Sequence, residues 1–248
     1  MYKFFCLASV FSIISVTQCL DSLPPYIKKC SKSQSETDGA QCIVNSANAA
    51  IPHLIKGDKK YHFPTFDPLK ITEIVVDPSP NFHMSLKNVD IFGFEGTNIT
   101  RADIKTLDNG YQFTLDIDIA NLELHSIYTT KGKILILPIE GEGPCVLKIN
   151  GQYNYTVTLE RYQKKGVSYF KVGDNHITYT LSGLTFKLDN LFGGNAKLGE
   201  EMNKFLNENW RDLREDFHPT IAKTISSIIE QILSDFLTLI PEDVLFNP

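Results

Sequence analysis

The chain has 248 residues, 42% of them apolar and 21% charged, with 24 Lys and Arg against 29 Asp and Glu for a net charge of −5. That length and apolar share support one large core or two small ones. An acidic chain with no basic stripe interleaved with aromatics excludes a nucleic-acid binder, and Glu230 and Asp235 interrupt the most apolar helical stretch within the ~20 residues a bilayer span needs.

Lys3 opens a positive start, Phe4 to Val16 is an apolar run, and the small residues Thr17 and Cys19 follow. This is the pattern of a secretory signal peptide over residues 1–19, too short to span a membrane. It places the mature chain outside the cell as a single domain over residues 20–248. Removing Lys3 leaves 23 basic against 29 acidic residues, a net charge of −6.

Of the five cysteines, Cys30, Cys42 and Cys145 lie beyond the signal. In an oxidising compartment Cys30 and Cys42 are expected to pair, and closing a loop of that size is worth about 3 kcal/mol. Cys145 is expected to be a buried free thiol in a strand. Asn98 and Asn154 head Asn-Ile-Thr and Asn-Tyr-Thr glycosylation acceptors.

Ala40 to Gly57 predicts a helix of about three turns, tied to the chain start by the disulfide. From Leu69 to Leu188 the period drops to two. Tyr111, Phe113, Leu115, Ile117 and Ile119 face one way, with Gln112, Thr114, Asp116 and Asp118 opposite, and the phase slips at Ala120-Asn121. Leu147, Ile149, Tyr153, Tyr155, Val157 and Leu159 repeat the pattern, with Asn154 on the polar side. A third run places Ile177, Tyr179 and Leu181 in phase, slips at Ser182-Gly183, and resumes at Leu184, Phe186 and Leu188. Gly141-Glu-Gly-Pro144 reads as a turn. Alternation this long predicts antiparallel strands with one wet and one dry face, curled at the phase slips.

From Asn195 the period becomes 3.6, with Leu198, Met202, Phe205, Leu206, Trp210, Leu213 and Phe217 on one face. His218-Pro219 is expected to break or kink that helix. The next helix carries Ile221, Ile225, Ile228, Ile229, Ile232 and Leu233 on an apolar arc of about 180°, well beyond the ~100° of a surface helix. Such a helix needs a wide apolar partner, and the dry faces of the long strands supply one.

The stretches "LPPYIKKC", "FDPLKITEIVV", "NVDIFGF", "YFKVGDNHITYTLSGLTFKLDNLFGGNAKLGEEMNKFLNENW" and "IPEDVLF" together resemble the takeout and juvenile-hormone-binding protein family of insects, over nearly all of residues 22–248. The resemblance implies an α+β fold of the tubular lipid-binding type. In it a long, strongly curved antiparallel sheet wraps a long C-terminal helix and encloses a tunnel for an apolar ligand, with a short disulfide-tied helix at the N-terminus. Cys145 has no partner here, where the juvenile-hormone carriers close a second disulfide, so the likeness is nearer the takeout branch.

The function expected is a secreted carrier of a small hydrophobic ligand, a juvenile-hormone-like terpenoid, a fatty acid or another lipid. Its wall would comprise Phe113, Leu115, Ile117, Tyr153, Tyr155, Tyr179, Leu181, Trp210, Ile221, Ile225, Ile228 and Ile232. Tyr153, Tyr155 and Tyr179 are the candidates for a polar contact, because a buried phenol needs a hydrogen-bond partner. The alternative is a secreted glycoprotein with a filled core that acts through protein contacts at its surface. No catalytic residue, metal site or cofactor is expected, because no G-x-S-x-G, H-E-x-x-H, P-loop or G-x-G-x-x-G is present and the six histidines lack ligand spacing. Neither nucleic acid nor stable membrane insertion is expected of a carrier, while a receptor for it is compatible with the sequence.

Overall fold

The computed structural model describes residues 20–31 and 35–247, with Glu36 described by its backbone alone. The signal-peptide stretch, residues 1–19, lies outside the described residues. In chain order the elements are β1 (Cys30–Ser31), α1 (Glu36–Leu54), β2 (Leu69–Ser79), β3 (Phe82–Phe92), β4 (Thr97–Leu107), β5 (Gly110–Ile134), β6 (Leu137–Lys164), β7 (Val167–Leu188), α2 (Ala196–Glu208), α3 (Trp210–Leu237), α4 (Glu242–Leu245) and β8 (Phe246–Asn247).

The long strands form one antiparallel sheet in the order β2-β3-β5-β6-β7. One edge of β5 is shared: β4 pairs its first half, Thr97 opposite Ile119, and β3 its second half, Phe82 opposite Gly132. The curl sits where the alternation slips. Between Ile119 and Leu122 the β5–β6 register shifts, and Asn121 takes the left-handed conformation at φ 62 while its N–H donates to Asn150 Oδ1 at 2.7 Å. Asn tolerates that conformation better than other side chains, and the slip turns Leu122, Leu124 and Tyr128 to the core. The second slip is likewise a register shift, with Asn150 opposite Gly183 and Gly151 opposite Leu181.

The strands are longer than the sequence runs suggest, 25, 28 and 22 residues for β5, β6 and β7. Runs that read as separate segments continue through their bulges. The Gly141–Pro144 stretch, read as a turn, is strand: Gly141 pairs with Thr130 and Pro144 with Ile127. Its glycine serves close approach instead, since a Cβ on Gly141 would stand 2.9 Å from Leu191 Cα and 2.8 Å from Tyr128 Oη.

α3 packs against both β7 and β2, the opposite ends of the strand order. A sheet whose two ends meet one helix is rolled around it. At 28 residues α3 is about 42 Å long. The predicted break at His218-Pro219 is displaced to Asn209, where α2 ends and α3 begins. There Asn209 Nδ2 and its backbone N–H both donate to Phe205 O, at 2.8 and 3.0 Å, and the backbone leaves helical geometry at φ −108 and ψ 18. α3 continues through Pro219. Its missing N–H orphans the carbonyl of Glu215, and Glu215 and Pro219 are both exposed, where water can satisfy that oxygen.

α1 is also longer than expected, 19 residues rather than about three turns. Ser35 caps it, its hydroxyl accepting from Asp38 N at 3.2 Å, and the polar residues of its first turn carry no periodic signal. The helix packs on β4. Cys42 in α1 bonds Cys30 in β1, and β1 pairs in parallel with β8, so the disulfide ties α1 to the strand pair that holds the C-terminal segment. Arg161 holds the C-terminus from the sheet side, its Nε and Nη2 donating to both carboxylate oxygens of Glu242 at 2.6 and 2.8 Å. Cys145 is 1% exposed and unpaired, as read from the sequence, and burial pushes its thiol up to about 11.

Candidate functional site

Three apolar clusters fill the roll. One gathers β2, β3 and the ends of β5–β7 around Tyr128 and Leu206. A second seals the other end around Phe170, Phe236 and Ile240. The third, between them, joins Tyr153, Tyr155, Val157 and Ile177 to Ile225, Ile229 and Leu233 of α3. Where the first and third meet, the packing leaves a cavity of about 170 Å³.

β2 and β3 give the cavity Val76, Phe82, Met84 and Leu86, β6 gives Leu147, Ile149 and Tyr153, and β7 gives Tyr179, Leu181, Leu184, Phe186 and Leu188. Ile134, Leu206, Leu213, Arg214, Phe217, Ile221 and Ile225 complete it. The wall is built by the two periodicities read from the sequence, every second residue of a strand and every third or fourth of a helix. Among the described residues Arg214 is its one charged side chain, and the wall carries no carboxylate, histidine, serine or cysteine.

Of the wall residues read from the sequence, Tyr153, Tyr179, Leu181, Ile221 and Ile225 line this cavity. Phe113 and Ile117 pack instead against the third cluster, of which Tyr155 is a buried member. Leu115, Ile228 and Ile232 are half-buried and lie off the cavity wall. Trp210 stands at the start of α3, away from the wall, with the Arg211 guanidinium 4.5 Å from its ring centre. The β2–β3 contribution was missed, although Phe82, Met84 and Leu86 alternate as clearly as the later strands do. Arg214 gave no signal, because a lone arginine on a helix reads as solvated surface.

The three tyrosines differ in their partners. Tyr155 Oη donates to Asn175 Oδ1 at 3.4 Å. Tyr153 and Tyr179 sit with ring centres 6.1 Å apart, and among the described residues neither hydroxyl has a hydrogen-bond partner. Burial pushes both phenols up to about 12; for Tyr179 the nearby Tyr153 adds to this and the Arg214 guanidinium opposes it. His218 is half-buried with its ring centre 4.3 Å from that of Tyr179. No group of three or more His, Cys, Asp or Glu able to hold a metal occurs among the described residues.

The inward faces keep more surface than a self-packed core would. Phe113, Leu115, Ile117 and Ile119 on β5, and Ile221, Ile225, Ile228, Ile229, Ile232 and Leu233 on α3, are all half-buried. The two acceptor asparagines differ in setting: Asn98 is exposed, whereas Asn154 is half-buried with its Nδ2 donating to Asp116 Oδ1 at 2.6 Å.

The profile of the haemolymph juvenile hormone binding protein family matches residues 6–247. The chain belongs to this family. Among its relatives is the circadian clock-controlled protein daywake of Drosophila yakuba, 27% identical over 234 residues that cover 90% of this chain and 88% of daywake. Daywake of Drosophila melanogaster is 23% identical over 237 residues, covering 92% and 89%. In structure the chain is similar to Takeout 1 of Epiphyas postvittana, with a TM-score of 0.77 and 25% identity over 90% of this chain and 100% of that one. The rolled sheet around a C-terminal helix is therefore the takeout fold, as the sequence resemblance implied.

Proposed function

We propose that this protein is a secreted carrier that holds a small hydrophobic ligand, a terpenoid, fatty acid or other lipid, in the cavity between its sheet and α3. The observation that carries this reading is an apolar cavity of about 170 Å³, flanked by inward faces that stay half-buried. An apolar cavity of about 150 Å³ stays dry and takes a benzene-sized guest, whereas drug-sized ligands occupy roughly 300–1,000 Å³. The cavity thus receives part of a ligand, and the rest lies along the half-buried faces of β5 and α3. Covering about 400 Å² of ligand contributes roughly 10 kcal/mol before ordering and association costs. This driving force is non-directional, so length and girth are selected more than chemical detail.

The filled third cluster favours one second reading, a glycoprotein that carries no ligand and acts through its surface. Organic extraction of protein purified from its secreting tissue, followed by mass spectrometry, separates the two. A stoichiometric hydrophobe is expected. An empty extract, together with no uptake of a fluorescent fatty probe, leaves only the surface reading.

A further inference from the structure

Within an otherwise apolar wall, three residues carry hydrogen-bond donors: Tyr153 and Tyr179, whose ring centres are 6.1 Å apart, and Arg214. A polar group facing an apolar cavity costs free energy unless something pairs with it. Neither phenol has a partner among the described residues. Arg214 has five N–H donors, and among the described residues its one acceptor is Glu215, bonded to Nη2 on the solvent side. The Arg214 side chain is 27% exposed and that of Glu215 is 70% exposed, so the guanidinium stands at the boundary between cavity and water. Among the described residues the nearby acceptors are the Glu215 carboxylate and the His218 ring, 4.3 Å from that of Tyr179, and neither lines the cavity. On the cavity side the donors therefore describe the complement of an acceptor-only group, and a fixed positive charge among them describes an anion.

From this arrangement we infer that the cavity selects amphiphiles with a carboxylate head, placing the carboxylate between Arg214 and the Tyr153–Tyr179 pair and the apolar chain along the sheet. The inference rests on the carrier reading and narrows it from any lipid to an anionic one. Charge-assisted hydrogen bonds from a guanidinium are about twice as strong as neutral ones, so the acid form of a ligand gains over its neutral ester. The competing role for Arg214 is that of a spacer, whose methylene stem covers the wall while its head stays in water.

The test compares cis-parinaric acid with its methyl ester by fluorescence titration of the full mature chain. The wild type is expected to bind the acid about tenfold more tightly than the ester. Arg214→Met keeps the stem and is expected to bring the ratio close to one by weakening the acid far more than the ester, with an unchanged urea midpoint showing that the fold is intact. Arg214→Lys restores part of the preference, and Glu215→Gln, which frees Nη2, raises it. Equal binding of acid and ester by the wild type, or an equal loss of both in Arg214→Met, overturns the headgroup assignment while the carrier reading stands. If neither probe binds the wild type, both readings fall.

Discussion

Tyr128, Tyr153 and Tyr179 are held neutral by burial, each pushed from 10.0 up to about 12, and Cys145 from 9.0 up to about 11. In the unfolded chain these groups ionise at their ordinary values, so above pH 9 the unfolded state binds fewer protons than the folded one. Stability is therefore full below that point and is lost as pH rises through the folded values. The urea midpoint is expected to be flat from pH 7 to about 8.5 and to fall steadily towards pH 12. A double Tyr153→Phe, Tyr179→Phe variant should show a shallower fall. An identical slope would mean that these phenols are already solvated in the folded protein.

At the scale of elements, asparagines close the sheet edges. Asn207 Oδ1 accepts from Phe186 N at 2.7 Å and its Nδ2 donates to Phe186 O at 2.9 Å. Asn203 does the same to Leu188, both bonds 2.8 Å. On the other side of the roll Asn48 of α1 pairs both backbone groups of Ile99 in β4, again at 2.8 Å. A carboxamide offers the same donor and acceptor as a peptide unit, so each asparagine supplies one residue's worth of neighbouring strand to an edge that would otherwise invite another chain. Asn207→Ala leaves the Phe186 N–H and C=O unpaired within a half-buried contact. The expected cost is about 1–3 kcal/mol, read by urea unfolding, with new dimers on size-exclusion chromatography. A variant as stable and monomeric as the wild type would show that water replaces the carboxamide without loss.

At the scale of the molecule, stability and the proposed binding draw on the same apolar faces. Both ends of the roll are closed by packing, and the half-buried residues concentrate between them, where α3 faces β5 and β7. Ile225 lies on the cavity wall and in the third cluster, so enlarging it fills space instead of forcing a tight core apart. Ile225→Trp is expected to cut ligand uptake at least tenfold while shifting stability by no more than the ~1–3 kcal/mol of an overpacked site. Retained uptake with normal stability would place the ligand elsewhere along the roll.

The periods of two and 3.6, the phase slips at Ala120-Asn121 and Ser182-Gly183, and the wide apolar arc of α3 were legible in the sequence because each is a local consequence of backbone geometry. From them follow the long curled strands, the dry faces and the helix that covers them. Other features are decided by contacts between segments far apart in the chain. The helix break depends on Asn209 capturing Phe205 O, and the strand at Gly141 on Leu191 needing room. Tyr155 finds a partner in Asn175 of β7, whereas among the described residues Tyr153 and Tyr179 find none, and that division depends on which side chains the neighbouring strand and α3 bring to each ring. Alternation says which way a side chain points; only the tertiary structure determines whether it meets another side chain or a space.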